Sequence, residues 1–430
     1  MPVRPLPPRL YAWTLANVFD PACSPAARAT RREPPPKPHP QPPIHILGAG
    51  NIGRLFASGL AQPPDDHPPI TLVVHKQDLL SQWARSDGVE LTRDGVTTKN
   101  KRFRLEWWTD APPLRGPIRE VAGGQKLRSL LISTKTSVAL AEVDRLRRYL
   151  DGSSTVVFAQ NGVSRLWPPH GPAYLADRYP PSRVPSFSAC VVNHGVLSAG
   201  PFQSLHVAPA DAVIGHVTGP PPPDCDPLIS RITAAPLLNT RSVSPGRLWV
   251  LQLEKLAFNA IINPLTALLR CRNGHLFVTH DPNDPLVRVI DRLLAQESAV
   301  FQMLINHPSS APVLATYAHQ AQEPFAEDNQ PDPDPGKVAS LQRELTMEFS
   351  PESLKRKLYS FGEKVGQNRS SMLQDVEAAK ITEIRDLNGW IVDMASTLDG
   401  RLDVTAHQVL IQLVEKSLVL DKAELASRLL

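Results

Sequence analysis

The sequence predicts an α/β protein in two parts, an open and mostly parallel sheet followed by an all-helical domain. Short apolar runs alternate with helix-like segments as far as about residue 243, which is typical of a parallel sheet with helical crossovers. Beyond Pro245 the strand signals fade and long helical patterns replace them. A glycine-rich turn follows the first apolar run, so a candidate binding site lies at the start of the folded body.

The sheet part begins with one strand–turn–helix–strand unit. Residues 44–47 and 70–74 are its two strands, and the glycine turn and residues 54–60 lie between them. Asp94-Gly95 predicts a β-hairpin within residues 90–107. Later strands are predicted at 130–132, 155–158, 186–193 and 205–214, and helices at 137–149, 248–269, 286–305, 351–365, 371–398 and 406–430.

Residues 1–43 are predicted to be a disordered Pro/Arg-rich extension before domains at 44–243 and 244–430. They hold 13 of the 45 prolines and six Lys or Arg against two acidic residues. An Arg-rich, acid-poor N-terminus is also typical of mitochondrial transit peptides, so both a solvated tail and an import signal stay open. The localisation expected is mitochondrial or cytoplasmic, with the first favoured. The Pro/Asp-rich residues 323–337 are expected to form a mobile loop.

The composition excludes several classes of protein. After residue 43 the chain carries 40 basic and 40 acidic residues, which argues against a nucleic-acid partner. No run of about 18 uncharged apolar residues exists, so no membrane span is expected. The four cysteines are far apart and form no CxxC pair, so neither a metal site nor a disulfide framework is expected.

The turn Gly48-Ala49-Gly50-Asn51-Ile52-Gly53 has the spacing of a dinucleotide-binding turn. Its glycines would permit a tight turn, a close approach of the backbone to a pyrophosphate, and close packing of helix on strand. An NAD site usually has an acid at the end of the second strand, but this chain has His75 and Lys76 there. The basic pair predicts NADP(H); ordinary surface charge is the alternative.

Lys255, Asn259 and Asn263 are spaced four residues apart on one predicted helix. At about 100° per residue they lie within a stripe of about 80°, among apolar neighbours. Polar side chains in that setting need specific partners. The stripe therefore indicates a site or, alternatively, the polar face of an amphipathic surface helix.

Five motifs, taken in their order, resemble those of the ketopantoate reductases (2-dehydropantoate 2-reductases). They are the glycine turn, Ser133-Thr134-Lys135, Gln160-Asn161-Gly162, the helix from Leu253 to Ala267, and Ser370 to Val376 with Thr382-Glu383-Ile384 and Asn388-Gly389. The resemblance covers roughly residues 44–275 and 350–425. The extension and the stretch 276–350 make the chain more similar to the longer fungal members than to compact bacterial ones.

The resemblance implies a Rossmann-type domain that binds NADPH and a helical domain, with the active site in the cleft between them. Lys255 matches the catalytic lysine, which would give a proton to the substrate oxygen, and Glu383 matches the acid that assists it. Asn259, Asn263 and Ser371 match positions that hold the substrate's hydroxyl and carboxylate.

On the cofactor side, the resemblance places Asn161 between nicotinamide and substrate and Lys135 near the cofactor at the end of a strand. His75 stands where the family often has an Arg for the 2′-phosphate. That departure leaves Lys76 as the expected phosphate contact.

The implied function is that of an oxidoreductase: NADPH-dependent reduction of 2-dehydropantoate to (R)-pantoate, toward pantothenate and coenzyme A. The expected partner is a small 2-keto acid, and the expected state is a monomer or homodimer. Two alternatives stay open. The chain could reduce another branched 2-keto acid, or it could be a non-catalytic relative with a role in mitochondrial gene expression.

Overall fold

The structure, a computed structural model, describes residues 4–18, 42–62, 67–223, 226–317 and 335–430. It divides into two compact units. The first runs to Gln160 and resumes at His170–Val243, and the second comprises Asn161–Pro169 and Ser244–Leu430. Asn161–Pro169 therefore leaves the sheet unit and belongs to the helical one, which no sequence pattern indicated.

The first unit contains all the strands of the described residues, together with six α-helices. Its strands are β1 (Tyr11–Trp13), β2 (Ile44–Leu47), β3 (Ile70–Val74), β4 (Val89–Arg93), β5 (Val96–Asn100), β6 (Arg104–Thr109), β7 (Ser129–Ile132), β8 (Thr155–Ala159), β9 (Ser186–Val192), β10 (Gly195–Gly200), β11 (Gln203–Ala208), β12 (Ala212–Thr218) and β13 (Thr240–Ser242). Its α-helices are α1 (Leu15–Val18), α2 (Asn51–Leu60), α3 (Asp78–Arg85), α4 (Thr136–Leu146), α5 (His170–Arg178) and α6 (Pro227–Ala234).

Nine strands form the main sheet in the order β1-β6-β3-β2-β7-β8-β9-β12-β13. The run from β6 to β9 is parallel, and β1 and β12 pair antiparallel to their neighbours β6 and β9. The chain leaves β2 toward β3 and later returns on the other side of β2 as β7. The end of β2 is thus a switch point, where open parallel sheets bind their ligands.

The central strands are buried along their whole length, because helices cover both faces of a parallel sheet. A second sheet has the order β10-β11-β4-β5. The predicted hairpin at Asp94-Gly95 is confirmed: it joins β4 to β5, and both residues have positive φ, 51° and 77°. Residues 205–214, predicted as one strand, instead contribute to β11 and β12 in different sheets.

The prediction of a disordered extension is wrong for residues 4–18, which pack on the first unit. β1 pairs with β6 and forms one of the two edge strands of the main sheet. The Leu10 amide donates to the Tyr149 hydroxyl at 2.8 Å, and the Arg147 guanidinium donates to the carbonyl of Pro5 at 2.8 Å. Pairing with β6 therefore orders a segment whose Pro- and Arg-rich local sequence is typical of a disordered tail. Residues 19–41, which carry most of the extension, lie outside the described residues.

The second unit is helical, with nine α-helices in its described residues. They are α7 (Pro245–Leu269), α8 (Pro285–Asn306), α9 (Ala311–Leu314), α10 (Pro335–Glu348), α11 (Pro351–Lys364), α12 (Ser371–Glu377), α13 (Ile384–Leu398), α14 (Thr405–Glu415) and α15 (Lys422–Leu429). The long helix α7 packs against α8, α12, α13 and α14. Within the residues that the structure describes, none of these helices has the length and apolar character that a membrane crossing needs.

Two predicted helices are each divided in the structure. The segment 371–398 breaks between α12 and α13, where Ala379 has a φ of 50°, and the segment 406–430 breaks between α14 and α15, where Ser417 has a φ of 52°. Helix α7 starts after Ser244, whose side chain accepts the Arg247 amide as an N-cap. The predicted mobile loop lies almost wholly outside the described residues, and only 335–337 are seen, at the start of α10.

The packing of the N-terminal segment predicts that Leu10→Ala destabilises the protein. Leu10 is 2% exposed, so the truncation should leave a cavity and lower the free energy of unfolding by about 2–5 kcal/mol. Leu6→Ala is the matched control, because Leu6 is 55% exposed and should change that energy by about 0.5 kcal/mol or less. Urea denaturation of both variants checks this, and equal effects would contradict the packing.

Candidate functional site

The glycine turn after β2 is closed tightly at its ends and open in its middle. Gly48 has a φ of 107°, which side-chain-bearing residues rarely adopt. A Cβ on Gly53 would lie 1.9 Å from the Gly48 carbonyl oxygen, so helix α2 approaches β2 too closely for a side chain. A Cβ on Gly50 would meet no atom of the described residues within 4 Å. The turn therefore offers an open backbone at the N-terminus of α2, which suits a pyrophosphate.

Ser133, at the end of β7, fixes the shape of this turn. Its backbone amide donates to the Leu47 carbonyl at 2.9 Å, and its hydroxyl donates to the Gly48 carbonyl at 2.8 Å. Ala49 and Ile52, the apolar residues of the turn, pack partly buried against the core. The position of the turn is thus set by the neighbouring strand and not by the turn sequence alone.

Asn51 contributes its backbone to the turn, but its side chain is engaged elsewhere. Its Nδ2 donates to the Val196 carbonyl at 3.2 Å, and its Oδ1 accepts from Arg54 Nη2 at 2.6 Å. Arg54 is buried, and burial lowers the pKa of its guanidinium to about 10, so it remains charged at neutral pH. Sequence analysis missed this cation; a charged residue directly after the third glycine was the available signal.

His75 and Lys76 follow β3 directly and are exposed. Desolvation of the ring, and then the nearby charge of Lys76, lower the pKa of His75 below its ordinary value. At neutral pH the imidazole is therefore mainly uncharged. Lys135 is the N-cap residue of α4 at the end of β7, next to Thr134, whose carbonyl accepts from Gln160 Nε2 at 2.7 Å.

In the second unit, α7 carries the polar stripe. Lys255 and Asn259 are partly exposed and Asn263 is buried. Asn263 Nδ2 lies 3.5 Å from the hydroxyl of Ser371, the first residue of α12. Next to this pair, the hydroxyls of Thr266 and Ser370 are hydrogen-bonded at 2.7 Å, which holds the start of α12 against α7.

Glu383 lies immediately before α13, where its Oε2 accepts a hydrogen bond from Asn161 Nδ2 at 3.2 Å. The structure thus brings together two predicted site residues that are 222 positions apart in the chain. Contact between Glu383 and Lys255 stays a prediction.

Two further bonds hold the segment Asn161–Pro169 within the second unit. Trp167 Nε1 donates to Gln252 Oε1 at 2.5 Å, in a buried position one turn before Lys255 on α7. Arg165 and Asp393 form an exposed ion pair at 2.6 Å. Sequence analysis missed Trp167 and Gln252, since nothing local in either segment shows that they meet.

A surface depression of about 410 Å³ lies between α7 and α11 in the same unit. Its aromatic wall is the stacked pair Phe258 and Phe361, with ring centroids 5.3 Å apart. Lys357 Nζ donates to Glu254 Oε1 at 2.8 Å across it. The depression shares α7 with the polar stripe, but Lys255, Asn259 and Asn263 do not line it.

The first unit has a dinucleotide-type turn, and the second has a set of lysine, amide and carboxylate side chains. Comparisons with known proteins identify the family of a chain that carries both. The family described as "Ketopantoate reductase PanE/ApbA" matches residues 44–219, and "Ketopantoate reductase PanE/ApbA C terminal" matches residues 247–417. The chain belongs to the ketopantoate reductase family. Members of this family are NAD(P)-dependent oxidoreductases that act on 2-keto acids, and the predicted family and fold class are confirmed.

Individual relatives within the family differ in their named substrate. A ketoisovalerate reductase of Beauveria bassiana is 50% identical over 99% of this chain and 96% of its own length. One from Gibberella fujikuroi is 49% identical with the same coverage. A 2-dehydropantoate 2-reductase of Listeria innocua is 26% identical over 58% of this chain and 73% of its own length.

Solved structures share the fold. A PanE/ApbA family ketopantoate reductase from Ralstonia eutropha matches with a TM-score of 0.56 at 20% identity, covering 87% of this chain and 98% of its own. A D-mandelate dehydrogenase, solved with NADH and anilino(oxo)acetate, matches with the same TM-score at 14% identity, covering 87% of this chain and 97% of its own. At these identities the likeness establishes the architecture.

The geometry of the glycine turn predicts different effects for two glycine-to-alanine changes. Gly50→Ala should keep the melting temperature but weaken NAD(P)H binding, because its methyl group would fill the open side of the turn. Gly53→Ala should lower the melting temperature, because its methyl group overlaps the Gly48 carbonyl. Thermal denaturation and fluorescence titration of both variants check this. Cofactor binding unchanged in a folded Gly50→Ala protein would place the dinucleotide elsewhere.

Proposed function

We propose that the chain is an NADPH-dependent reductase that converts 2-ketoisovalerate into 2-hydroxyisovalerate. The observation that carries this proposal is the identity of 50% to a ketoisovalerate reductase along 99% of the chain. Two relatives named for 2-dehydropantoate are 25% and 26% identical. Of the two substrates that the sequence left open, 2-dehydropantoate and another branched 2-keto acid, the second is therefore better supported.

The polar groups of the second unit are compatible with a substrate that lacks a side-chain hydroxyl. 2-Dehydropantoate differs from 2-ketoisovalerate by a hydroxymethyl group on the branched carbon. Asn263 and Ser371, which the family resemblance assigns to the substrate's polar groups, lie within 3.5 Å of each other. The Asn263 amide is within reach of the Ser371 hydroxyl, so this pair has a partner without a substrate hydroxyl. A site built around such a hydroxyl would instead lose a partner without it.

Reduction of a 2-keto acid requires a hydride at the carbonyl carbon and a proton at its oxygen. The bound nicotinamide supplies the hydride. We assign the proton to the Lys255 ammonium, which also stabilises the negative charge that develops on the oxygen. Asn259 lies one turn further along the same face of α7 and would orient the substrate carboxylate.

Glu383 and Asn161 complete the proposed machinery. A carboxylate near Lys255 would keep the ammonium charged and oriented. The Asn161–Glu383 hydrogen bond of 3.2 Å fixes the two side chains relative to each other. Whichever of them contacts the substrate would therefore be positioned by the other. In this proposal the first unit binds the dinucleotide through the open backbone of the glycine turn.

A substrate panel tests the proposed function. We expect NADPH oxidation to be fastest, in kcat/KM, with 2-ketoisovalerate, slower with 2-dehydropantoate and slowest with unbranched pyruvate. Preference for 2-dehydropantoate would restore the family's implied reaction. Absence of turnover with every 2-keto acid would favour the non-catalytic alternative.

Two variants show whether the measured turnover belongs to the proposed site. Lys255→Ala should lower kcat by about 10²–10⁴, while NADPH binding stays near normal because the glycine turn is untouched. Lys357→Ala is the matched control, since Lys357 pairs with Glu254 at 2.8 Å outside the polar stripe and should leave kcat unchanged. A double variant of Lys255 and Glu383 should be little slower than Lys255→Ala, because residues serving one step are not additive.

Cofactor choice is the second test. We propose that Lys76 and His75 contact the 2′-phosphate, so Lys76→Ala should weaken NADPH binding by about 1.5–3 kcal/mol, roughly tenfold to a hundredfold in Kd. A nearby phosphate raises the lowered pKa of His75, so NADPH binding takes up a proton and should tighten as the pH falls below neutrality.

NADH lacks the 2′-phosphate and is the control for this pH dependence. Its Kd should change little with pH, and His75→Ala should flatten the NADPH profile toward it. Equal affinities of the wild-type protein for NADPH and NADH would rule out the assignment.

A further inference from the structure

Helix α7 contains a carbonyl that the helix itself cannot satisfy. Pro264 lies inside the helix and has no backbone N–H. The residue four positions earlier is Ala260, whose carbonyl therefore lacks its regular helical donor. Ala260 is buried, so water does not replace the missing donor at low cost. In the sequence it lies between Asn259 and Asn263, two residues of the polar stripe.

Asn388, on α13, supplies the missing donor. Its Nδ2 donates to the Ala260 carbonyl at 2.8 Å, and its side chain is completely buried. The same Nδ2 lies 3.0 Å from Nδ1 of His407 on α14. One amide group thus joins the helix of the polar stripe to two neighbouring helices.

The surroundings of Asn388 keep this amide in one orientation. His407 is fully buried, and Nε2 of its ring lies 3.3 Å from the Leu293 carbonyl, which leaves Nδ1 as the acceptor for Asn388. Burial lowers the pKa of His407 to about 4, so the ring is neutral at pH 7. A buried carboxyl, Glu297 on α8, lies 3.9 Å from that Nε2, and burial raises its pKa, which favours its neutral form.

The bond also reaches the other half of the proposed machinery. Glu383 directly precedes α13, five residues before Asn388, and holds Asn161. A hydrogen bond from α13 to the middle of α7 therefore fixes Glu383 and the polar stripe in one register. A proline inside a helix lowers the stability of the helix by about 3 kcal/mol or more. Here it also leaves the Ala260 carbonyl to accept a hydrogen bond from another helix instead of from α7.

We propose that Asn388 is a positioning residue for the reduction, acting through its bond to the carbonyl that Pro264 leaves unpaired. This proposal rests on the proposed reductase function. In this proposal Asn388 contacts neither the substrate nor the cofactor. Its role is to set the relative position of Lys255, Asn259 and Glu383, where a displacement of about 1 Å can cost a hundredfold in rate.

The test is a cycle of Asn388→Ala, Pro264→Ala and the double variant, assayed with the 2-keto acid that the wild type reduces best. Asn388→Ala should lower the melting temperature and reduce kcat about 10- to 100-fold, with the Kd for NADPH unchanged. In the double variant, the replacement of Pro264 restores a backbone N–H that can donate to the Ala260 carbonyl. The melting temperature should then recover largely, while kcat stays low, because the bond from α13 is still missing.

The double variant keeps the test usable even if Asn388→Ala folds poorly, since its unpaired carbonyl is satisfied. Asn273→Ala is the matched control: Asn273 is also a buried Asn of the second unit, and its loss should lower stability without lowering kcat. Full recovery of kcat in the double variant would mean that Asn388 only satisfies the Ala260 carbonyl and does not position the site. Normal kcat in Asn388→Ala would also overturn the proposal. A wild type without turnover would instead contradict the proposed function itself.

Discussion

Both units depend on one constraint, that a buried backbone N–H or C=O must have a hydrogen-bond partner. Where regular structure leaves such a group unpaired, a side chain from a distant segment supplies the partner. Ser133 does so for the Gly48 carbonyl, Asn388 for the Ala260 carbonyl, and Tyr149 for the Leu10 amide. The first two lie at the glycine turn and the polar stripe, so the same bonds that complete the fold also shape the candidate site.

The features that the sequence predicted well are those with a local physical signature. A strand buried on both faces must be apolar throughout, and a two-residue hairpin turn requires positive φ, which Asp94-Gly95 tolerates. The spacing of Gly48, Gly50 and Gly53 reports directly on close backbone approach. These signals lie within a few neighbouring residues and need no knowledge of tertiary contacts.

The features that the sequence did not predict depend on distant partners. β1 is three residues long in a proline-rich segment, and only its pairing with β6 makes it a strand. The break after α12 lies at Ala379, which has a positive φ although it is not a glycine, so the sequence gives no signal for it. Trp167 joins the helical unit through Gln252, 85 positions away. In each case a long-range contact decides a conformation that local propensity leaves open.

The identity of the substrate is a harder question of the same kind. Motifs built around Lys255, Asn259 and Glu383 are assigned by the proposal to the shared chemistry of 2-keto acid reduction, so they do not separate two acids that differ by one hydroxymethyl group. In the proposed function that difference would depend on the environment of a few polar atoms, such as the approach of Asn263 to Ser371. Similarity along the whole chain carries this information because it includes residues outside the motifs.

The distribution of charge in the second unit follows from its division into scaffold and site. Glu297 and His407 are completely buried, and burial shifts both pKa values toward the neutral forms. A neutral ring offers one donor and one acceptor, which is what the bonds to Leu293 and Asn388 require. Protonation of His407 would remove the acceptor for Asn388 and loosen the register between α7 and α13. Lys255, by contrast, is partly exposed, so the groups kept neutral by burial belong to the helix packing and not to the polar stripe.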